Sequence, residues 1–358
     1  MPKYRILVIN PGSTSTKIAV FDDSELVFQK NLQHNPEKLA KFGELINQFK
    51  FRKNIVEQSL EENNIHISSI HAVVGRGGLI RPVLSGTYKI NKKMLADLKD
   101  KSFWGRTHAS NLGAFIAKSI ADEISVPSFI VDPVTVDEME DIARISGVPE
   151  IERQSLFHAL NIKSIARKTA KKIGNPLEEC NLIAVHMGGG ISVAAMNNGK
   201  VVDVNNALLG MGSFSPQRAG ALPLQGIVNL CYSGKYTKAE IEKKFCKKSG
   251  LIAYLGTDNG IEITKKIEQG DKRFEQIYSA MAYQISKEIG ACATVLKGKV
   301  DAIFLTGGLA YDKHLTRWLK ERTEFIAPIY IFPGEGEMEA MAEAGIRILA
   351  GEEKAKEY

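Results

Sequence analysis

Three glycine-bearing stretches of the chain carry residue types that bind anions. The first is Asn10-Pro11-Gly12-Ser13-Thr14-Ser15-Thr16-Lys17. Gly12 permits close backbone approach. The hydroxyls of Ser13, Thr14, Ser15 and Thr16 can donate to anionic oxygens, and Lys17 can add a positive charge unless strand alternation turns it away. The second stretch, His186-Met187-Gly188-Gly189-Gly190-Ile191-Ser192, sets three successive glycines inside what otherwise reads as a strand pair. Each weakens such a pair by roughly 0.5–1 kcal/mol relative to Ala. A ligand or another backbone passing close by explains that cost, and the N–H groups there can form an anion nest. The third, Thr306-Gly307-Gly308-Leu309, falls at a strand-to-helix junction, where α/β sheets commonly dock nucleotides. A Ser/Thr-rich turn is ordinary by itself; three glycine-bearing turns at matching places point to phosphate.

Two familiar phosphate motifs are absent. Gly199-Lys200 is followed by Val201, so there is no P-loop. Neither Gly210-Met211-Gly212 nor Gly334-Glu335-Gly336 continues as a dinucleotide fingerprint requires.

The elements that must hold these stretches follow from periodicity and punctuation. Strands are expected at 5–9 and 16–21 around the first turn, with Asp22-Asp23-Ser24 turning next. A helical region over 36–63 follows. A strand at 72–74 then runs into Gly75-Arg76-Gly77-Gly78, a helix over 109–123 has Ser110 as its cap, and a strand at 128–131 ends at Asp132-Pro133. The second half repeats the plan: strands at 182–185, 191–196 and 201–204, a helix over 274–296, and a strand at 302–305 ending in a glycine pair. A last amphipathic helix spans 335–350. Internal duplication of this kind predicts two related α/β lobes facing each other, one formed by 1–134 with 338–358 and the other by 135–337.

Composition narrows the class. The 358 residues are 44% apolar and 25% charged, which fits folded domains with a large core rather than disorder or a disulfide scaffold. Cys180, Cys231, Cys246 and Cys292 form no close pair, so neither zinc nor a redox dithiol is expected. No apolar run approaches the ~20 residues of a membrane helix, and residues 6–9 are too short for a signal-peptide core; a cytoplasmic protein is expected. The net charge of +6, from 47 Lys+Arg and 41 Asp+Glu, favours an anionic substrate. The basic residues are dispersed, so nucleic acid is not expected as a partner.

The segment Leu7-Val8-Ile9-Asn10-Pro11-Gly12-Ser13-Thr14-Ser15-Thr16-Lys17 resembles the N-terminal signature of the acetate/butyrate kinase family. Phe157-His158, His186-Met187-Gly188-Gly189-Gly190, the run from Ala302 to Gly308, and Glu335-Gly336-Glu337 resemble its later landmarks, in order. The resemblance covers almost the whole chain. It implies the duplicated actin-like ATPase (ribonuclease H-like) fold, with ATP in a cleft between the lobes and a homodimer or higher homo-oligomer.

The same resemblance implies roles for particular residues. Asp132 matches a carboxylate that orients the site and helps hold magnesium through water. His158 matches a histidine that hydrogen-bonds the transferring phosphoryl. Arg218, in Arg218-Ala219-Gly220, matches one active-site arginine. The other falls at Ala72, and Arg76 is expected to replace it. Glu337 matches the glutamate near the metal, with Glu335 as a rival. Asn10, Gly12, Ser13, Ser15 and Lys17, together with His186 and Gly188 to Gly190, would serve the phosphates, and Gly307 and Gly308 would flank the adenosine.

Two departures from the family pattern matter, the first for one phosphate contact and the second for the substrate. Gly189 stands where acetate kinases usually carry asparagine. Ala207-Leu208-Leu209-Gly210 lacks the proline that presses on the acetate methyl. A roomier pocket implies a longer acid: butanoate and ATP giving butanoyl phosphate and ADP, with acetate, propionate or isobutyrate as alternatives. An actin-like nucleotide switch without acyl transfer is the reading of a different class. A sugar kinase would need a general base for a hydroxyl.

Overall fold

The computed structural model describes residues 2–358 apart from 101, 103 and 105–107. The chain forms two compact units, Met1–Val136 with Gly336–Tyr358, and Asp137–Glu335.

The sheet of the first unit has six strands: β1 (Arg5–Pro11), β2 (Ser15–Asp22), β3 (Glu25–Gln33), β4 (Ala72–Arg76), β5 (Thr87–Lys89) and β6 (Ser128–Val131). Their order is β3-β2-β1-β4-β6-β5. β1 to β3 form an antiparallel meander, while β1, β4 and β6 run parallel. Strands covered on both faces read as continuous apolar runs, and residues 6–9 and 72–74 are all fully buried. Leu7, Ile9 and Val73 share one core with Val56 and Leu60 of the helix Phe49–Glu61 and with Leu112 and Ile116 of the helix Asn111–Glu123. On the other face lies the helix Glu337–Leu349, whose Gly345 meets Val74 and Ile6.

One close approach fixes the end of β4. A Cβ on Gly75 would stand 2.4 Å from the Gly113 carbonyl oxygen, and a Cβ on Gly113 would stand 2.5 Å from that of Arg76. Two glycines therefore let the helix Asn111–Glu123 lie directly against the strand that ends in Arg76.

Some local expectations do not hold. The region 36–63 is not one helix but the helix Pro36–Ala40, a 3-10 turn Leu45–Gln48 and the helix Phe49–Glu61. Gly43 takes φ +65 between them, which a right-handed helix cannot carry. Ser110 stands at the N-cap of its helix, yet its hydroxyl bonds the His108 ring rather than a helix amide.

The second unit holds β7 (Leu182–Met187), β8 (Ile191–Asn197), β9 (Lys200–Val204), β10 (Ala302–Gly307) and β11 (Ile329–Pro333), in the order β11-β10-β7-β8-β9. β7 to β9 form an antiparallel meander, and β7, β10 and β11 run parallel. Read as β9-β8-β7-β10-β11, this repeats β3-β2-β1-β4-β6 of the first unit, so the duplication is topological. Ile183 and Val185 pack against Tyr278, Met281 and Ile285 of the helix Lys272–Val295. His186 alternates with them and faces the helix Ala159–Ile173 instead.

Among the described residues no helix is long and apolar enough to cross a membrane.

Candidate active site

In the first unit the strand register gathers the expected residues. Ile9 pairs with Gly75, and Arg76 pairs with Val131. Asn10, Arg76 and Asp132 therefore stand at the C-terminal ends of three neighbouring parallel strands, the edge where open α/β sheets bind ligands. Glu337 joins them from the first turn of its helix. Its carboxylate forms an ion pair with Arg76 and accepts a hydrogen bond from Asn10 Nδ2 at 3.0 Å. Both partners of the ion pair are largely buried, which strengthens the charge interaction relative to a surface pair.

Asp132 is buried, and its Oδ1 accepts from Ser85 Oγ at 2.6 Å and from the Gly86 amide at 2.7 Å. Its backbone is held at φ +35, a conformation that costs free energy in a non-glycine residue and tends to persist at functional sites. Lys17 lies directly opposite Asn10 in the β1–β2 register, so the two share one face of the sheet. Gly12, Ser13 and Ser15 form the turn between β1 and β2, closed by the Gly12 amide donating to the Ser15 carbonyl at 2.8 Å.

In the second unit two imidazoles are stacked. The His158 and His186 rings lie 3.9 Å apart and 14° from parallel. His158 Nδ1 bonds Ser192 Oγ at 2.8 Å, and His186 Nδ1 bonds Asn161 Oδ1 at 2.7 Å. The Asn161 amide in turn donates to the Glu335 carbonyl. Glu335 thus enters this network by its backbone, whereas Glu337 is the glutamate that meets Arg76 and Asn10.

Gly188 to Gly190 form the tight turn after His186, with the Gly188 amide donating to the Gly190 carbonyl at 3.0 Å. Gly190 is dictated by Arg218: a Cβ there would lie 2.0 Å from the arginine Nη1. Arg218 also donates to the Ala207 carbonyl, and Ser215 Oγ ties its amide to the Gly189 carbonyl. Arg218 lines a cavity of about 620 Å³ whose other walls include Ile191, Leu208, Leu209, Leu222 and Phe245. Thr306 pairs with His186 in register, which brings Gly307 and Gly308 to the same sheet edge as the three glycines. Gly308 opens onto a second cavity of about 870 Å³, lined by Leu309, Asp312, Asn259, Ile261 and Thr264.

Sequence reasoning did not single out Ser85, Asn161 or Ser192 as supporting residues. Ser192 is opposite His186 in the β7–β8 register. Asn161, three residues after His158, carries no clear mark, because its helix also buries Lys163, Ser164 and Thr169.

Residues 150–322 match the acetokinase family. The chain is 52% identical over 355 residues to butyrate kinase 1 of Clostridium acetobutylicum, covering 99% of both chains. It is equally similar to butyrate kinase 2 of that organism, 52% over 356 residues with 99% of each covered. The chain belongs to this acetokinase family. Acetokinase-family structures share its fold: that of Porphyromonas gingivalis acetate kinase aligns at TM-score 0.78 and 19% identity, over 97% of this chain and 100% of that one. A propionate kinase from Francisella tularensis aligns at 0.76 and 17%, over 95% and 98%. The two units are accordingly the duplicated actin-like lobes expected of the family.

Proposed function

We propose that the protein transfers the terminal phosphoryl group of ATP, reversibly, to butanoate, giving butanoyl phosphate and ADP. The observation that carries this reading is Arg218 at the wall of a largely apolar cavity of about 620 Å³. A fixed guanidinium beside an aliphatic cavity suits a carboxylate with a short tail. The relatives named butyrate kinase support the same substrate. Each buried CH₂ adds ~0.8 kcal/mol, so two extra methylenes favour butanoate over acetate by roughly tenfold.

The chemistry asks little of the protein beyond placement. A carboxyl titrates near ~4, so the acid arrives as its anion and no general base is needed. One carboxylate oxygen forms a bond to the γ-phosphorus as the bond to the β–γ bridging oxygen breaks, and ADP leaves with that electron pair. Arg218 and Arg76 bind the carboxylate and the equatorial oxygens, where charge is spread in the transition state. His158, oriented by Ser192, donates to the same oxygens, and His186 flanks it. Asn10, Ser13, Ser15 and Lys17 with Gly188 to Gly190 serve the donor phosphates. Gly307 and Gly308 flank the adenosine, and the cavity that Gly308 lines is roomy enough for a nucleoside.

Magnesium fits the donor set. Among the described residues no three His, Cys, Asp or Glu side chains cluster as a metal cage. Magnesium usually takes only one or two carboxylates beside substrate phosphates and water, and Asp132 and Glu337 are two such carboxylates. When bound, it neutralises charge on the nucleotide phosphates.

Leu224, 80% exposed, and Val228, 50% exposed, on the helix Leu224–Cys231 support self-association as a homodimer or larger oligomer. We place the reaction in the cytoplasm, where ATP is supplied.

The test is hydroxamate trapping of the acyl phosphate. Product should require ATP, magnesium and butanoate together. ATP binding with no acid-dependent turnover would instead mark a nucleotide switch.

A further inference from the structure

A buried guanidinium lies under the turn between β1 and β2. Arg52, on the helix Phe49–Glu61, is fully buried. Its Nη1 donates to the carbonyls of Gly12 and Ser15, both at 2.8 Å, and to Thr16 Oγ1 at 3.3 Å. Its Nη2 donates to the Ser13 carbonyl at 2.9 Å and to Gln48 Oε1 at 2.9 Å, and Nε reaches the same Gln48 oxygen at 3.2 Å.

All of these acceptors are neutral. Arginine is almost never fully buried unless a carboxylate pairs with it, and among the described residues none does. Burial pushes the group down to about 10, so it remains a cation at neutral pH. Its neighbour His34, whose Nε2 lies 2.8 Å from Thr16 Oγ1, is pushed down to about 4 by burial and then by the Arg52 charge. His34 is therefore neutral there, and a single positive charge stands behind the turn without a counter-ion.

The hydrogen bonds orient the turn as well. In a trans peptide the carbonyl and the next residue's N–H point opposite ways. Drawing the Gly12 and Ser13 carbonyls inward turns the amides of Ser13 and Thr14 outward, and both residues are exposed.

We infer that Arg52 is a positioning residue of the donor-phosphate turn: its fork holds the turn's carbonyls inward, so that the Ser13 and Thr14 amides face an anionic oxygen, and its charge adds to their pull. This rests on the reading of that turn as a phosphate site. Arg52 touches no substrate. It acts through the turn, much as an outer residue orients a ligand it does not bind.

The test compares Arg52→Gln and Arg52→Lys with the unaltered chain, after circular dichroism and cooperative melting show each to be folded. Arg52→Gln should raise the KM for ATP by about tenfold or more, the scale of a lost charge-assisted hydrogen bond, while the KM for butanoate moves by less than about twofold. Arg52→Lys, which keeps charge but not the fork, should recover part of the loss. A general structural defect would move both KM values together, and that result, or unchanged kinetics in folded Arg52→Gln, overturns the inference. If neither variant folds, Gln48→Leu decides: the same split in smaller measure supports the inference and an unchanged ATP KM overturns it. If the unaltered chain shows no acid-dependent turnover, the proposed reaction is wrong, and calorimetric titration with ATP still reads the turn. Weaker ATP binding in Arg52→Gln then supports the inference. Equal binding, or no ATP binding by either chain, overturns it.

Discussion

The His158 and His186 rings stack 3.9 Å apart, each held at Nδ1, the one by Ser192 and the other by Asn161. Anchoring one ring nitrogen fixes the orientation of the other, so the His158 ring, at the start of its helix, is set by Ser192 of β8.

Ser192→Ala should therefore lower kcat by about tenfold, and His158→Ala by about 100-fold or more, with substrate KM values nearly unchanged. Because the two act as a unit, the double variant should be no worse than His158→Ala alone. Losses that multiply would show that Ser192 acts elsewhere.

The glycine turn after His186 gives a paired prediction. A Cβ at Gly190 would strike the Arg218 guanidinium at 2.0 Å, whereas one at Gly189 would meet only Gln217 side-chain atoms at 3.8 Å. Gly190→Ala should displace Arg218 and cost about 100-fold in kcat/KM, close to the effect of Arg218→Ala, with the fold retained. Gly189→Ala should keep most activity. Equal tolerance at the two positions contradicts the placement of Arg218.

The two glutamates flanking Gly336 should separate by metal dependence. Glu337 pairs with Arg76 and Asn10, while Glu335 presents its backbone carbonyl to Asn161. Glu337→Gln should raise the magnesium concentration for half-maximal rate severalfold, and Glu335→Gln should leave it unchanged. The reverse pattern would move the metal role to Glu335.

His34 makes stability depend on acid. Its ordinary value of 6.5 falls to about 4 in the folded chain, so the unfolded chain binds the proton more tightly. The contribution is complete above pH 6.5, shrinks as pH falls, and is lost below about 4. Urea unfolding at intervals across that window should show a slope that flattens in His34→Gln. An unchanged slope would assign the acid sensitivity to other groups.

The glycine-rich turns and the repeat were legible because glycine runs and apolar strands leave strong local marks. The parallel strands β1, β4, β7 and β10 are buried on both faces and read as unbroken apolar runs. β3 was missed because its residues are mostly exposed and show no alternation, its pairing being set by the turn at Asp23 and by β2. Asp132, His158, Arg218 and Glu337 carry no mark of their own; family resemblance pointed to them. Ser85 and Arg52 carried no mark, and Ser192 only closed the second glycine stretch, for a simpler reason. Their importance lies in register and in contacts across 34 to 47 positions of sequence, which no local pattern encodes.

Whether the enzyme prefers butanoate is read most directly from kcat/KM for unbranched acids of two to five carbons and for isobutyrate, by hydroxamate trapping with ATP and magnesium. A maximum at butanoate is expected, roughly tenfold above acetate, as burial of two methylenes implies. A maximum at acetate, or no acid dependence at all, would contradict it.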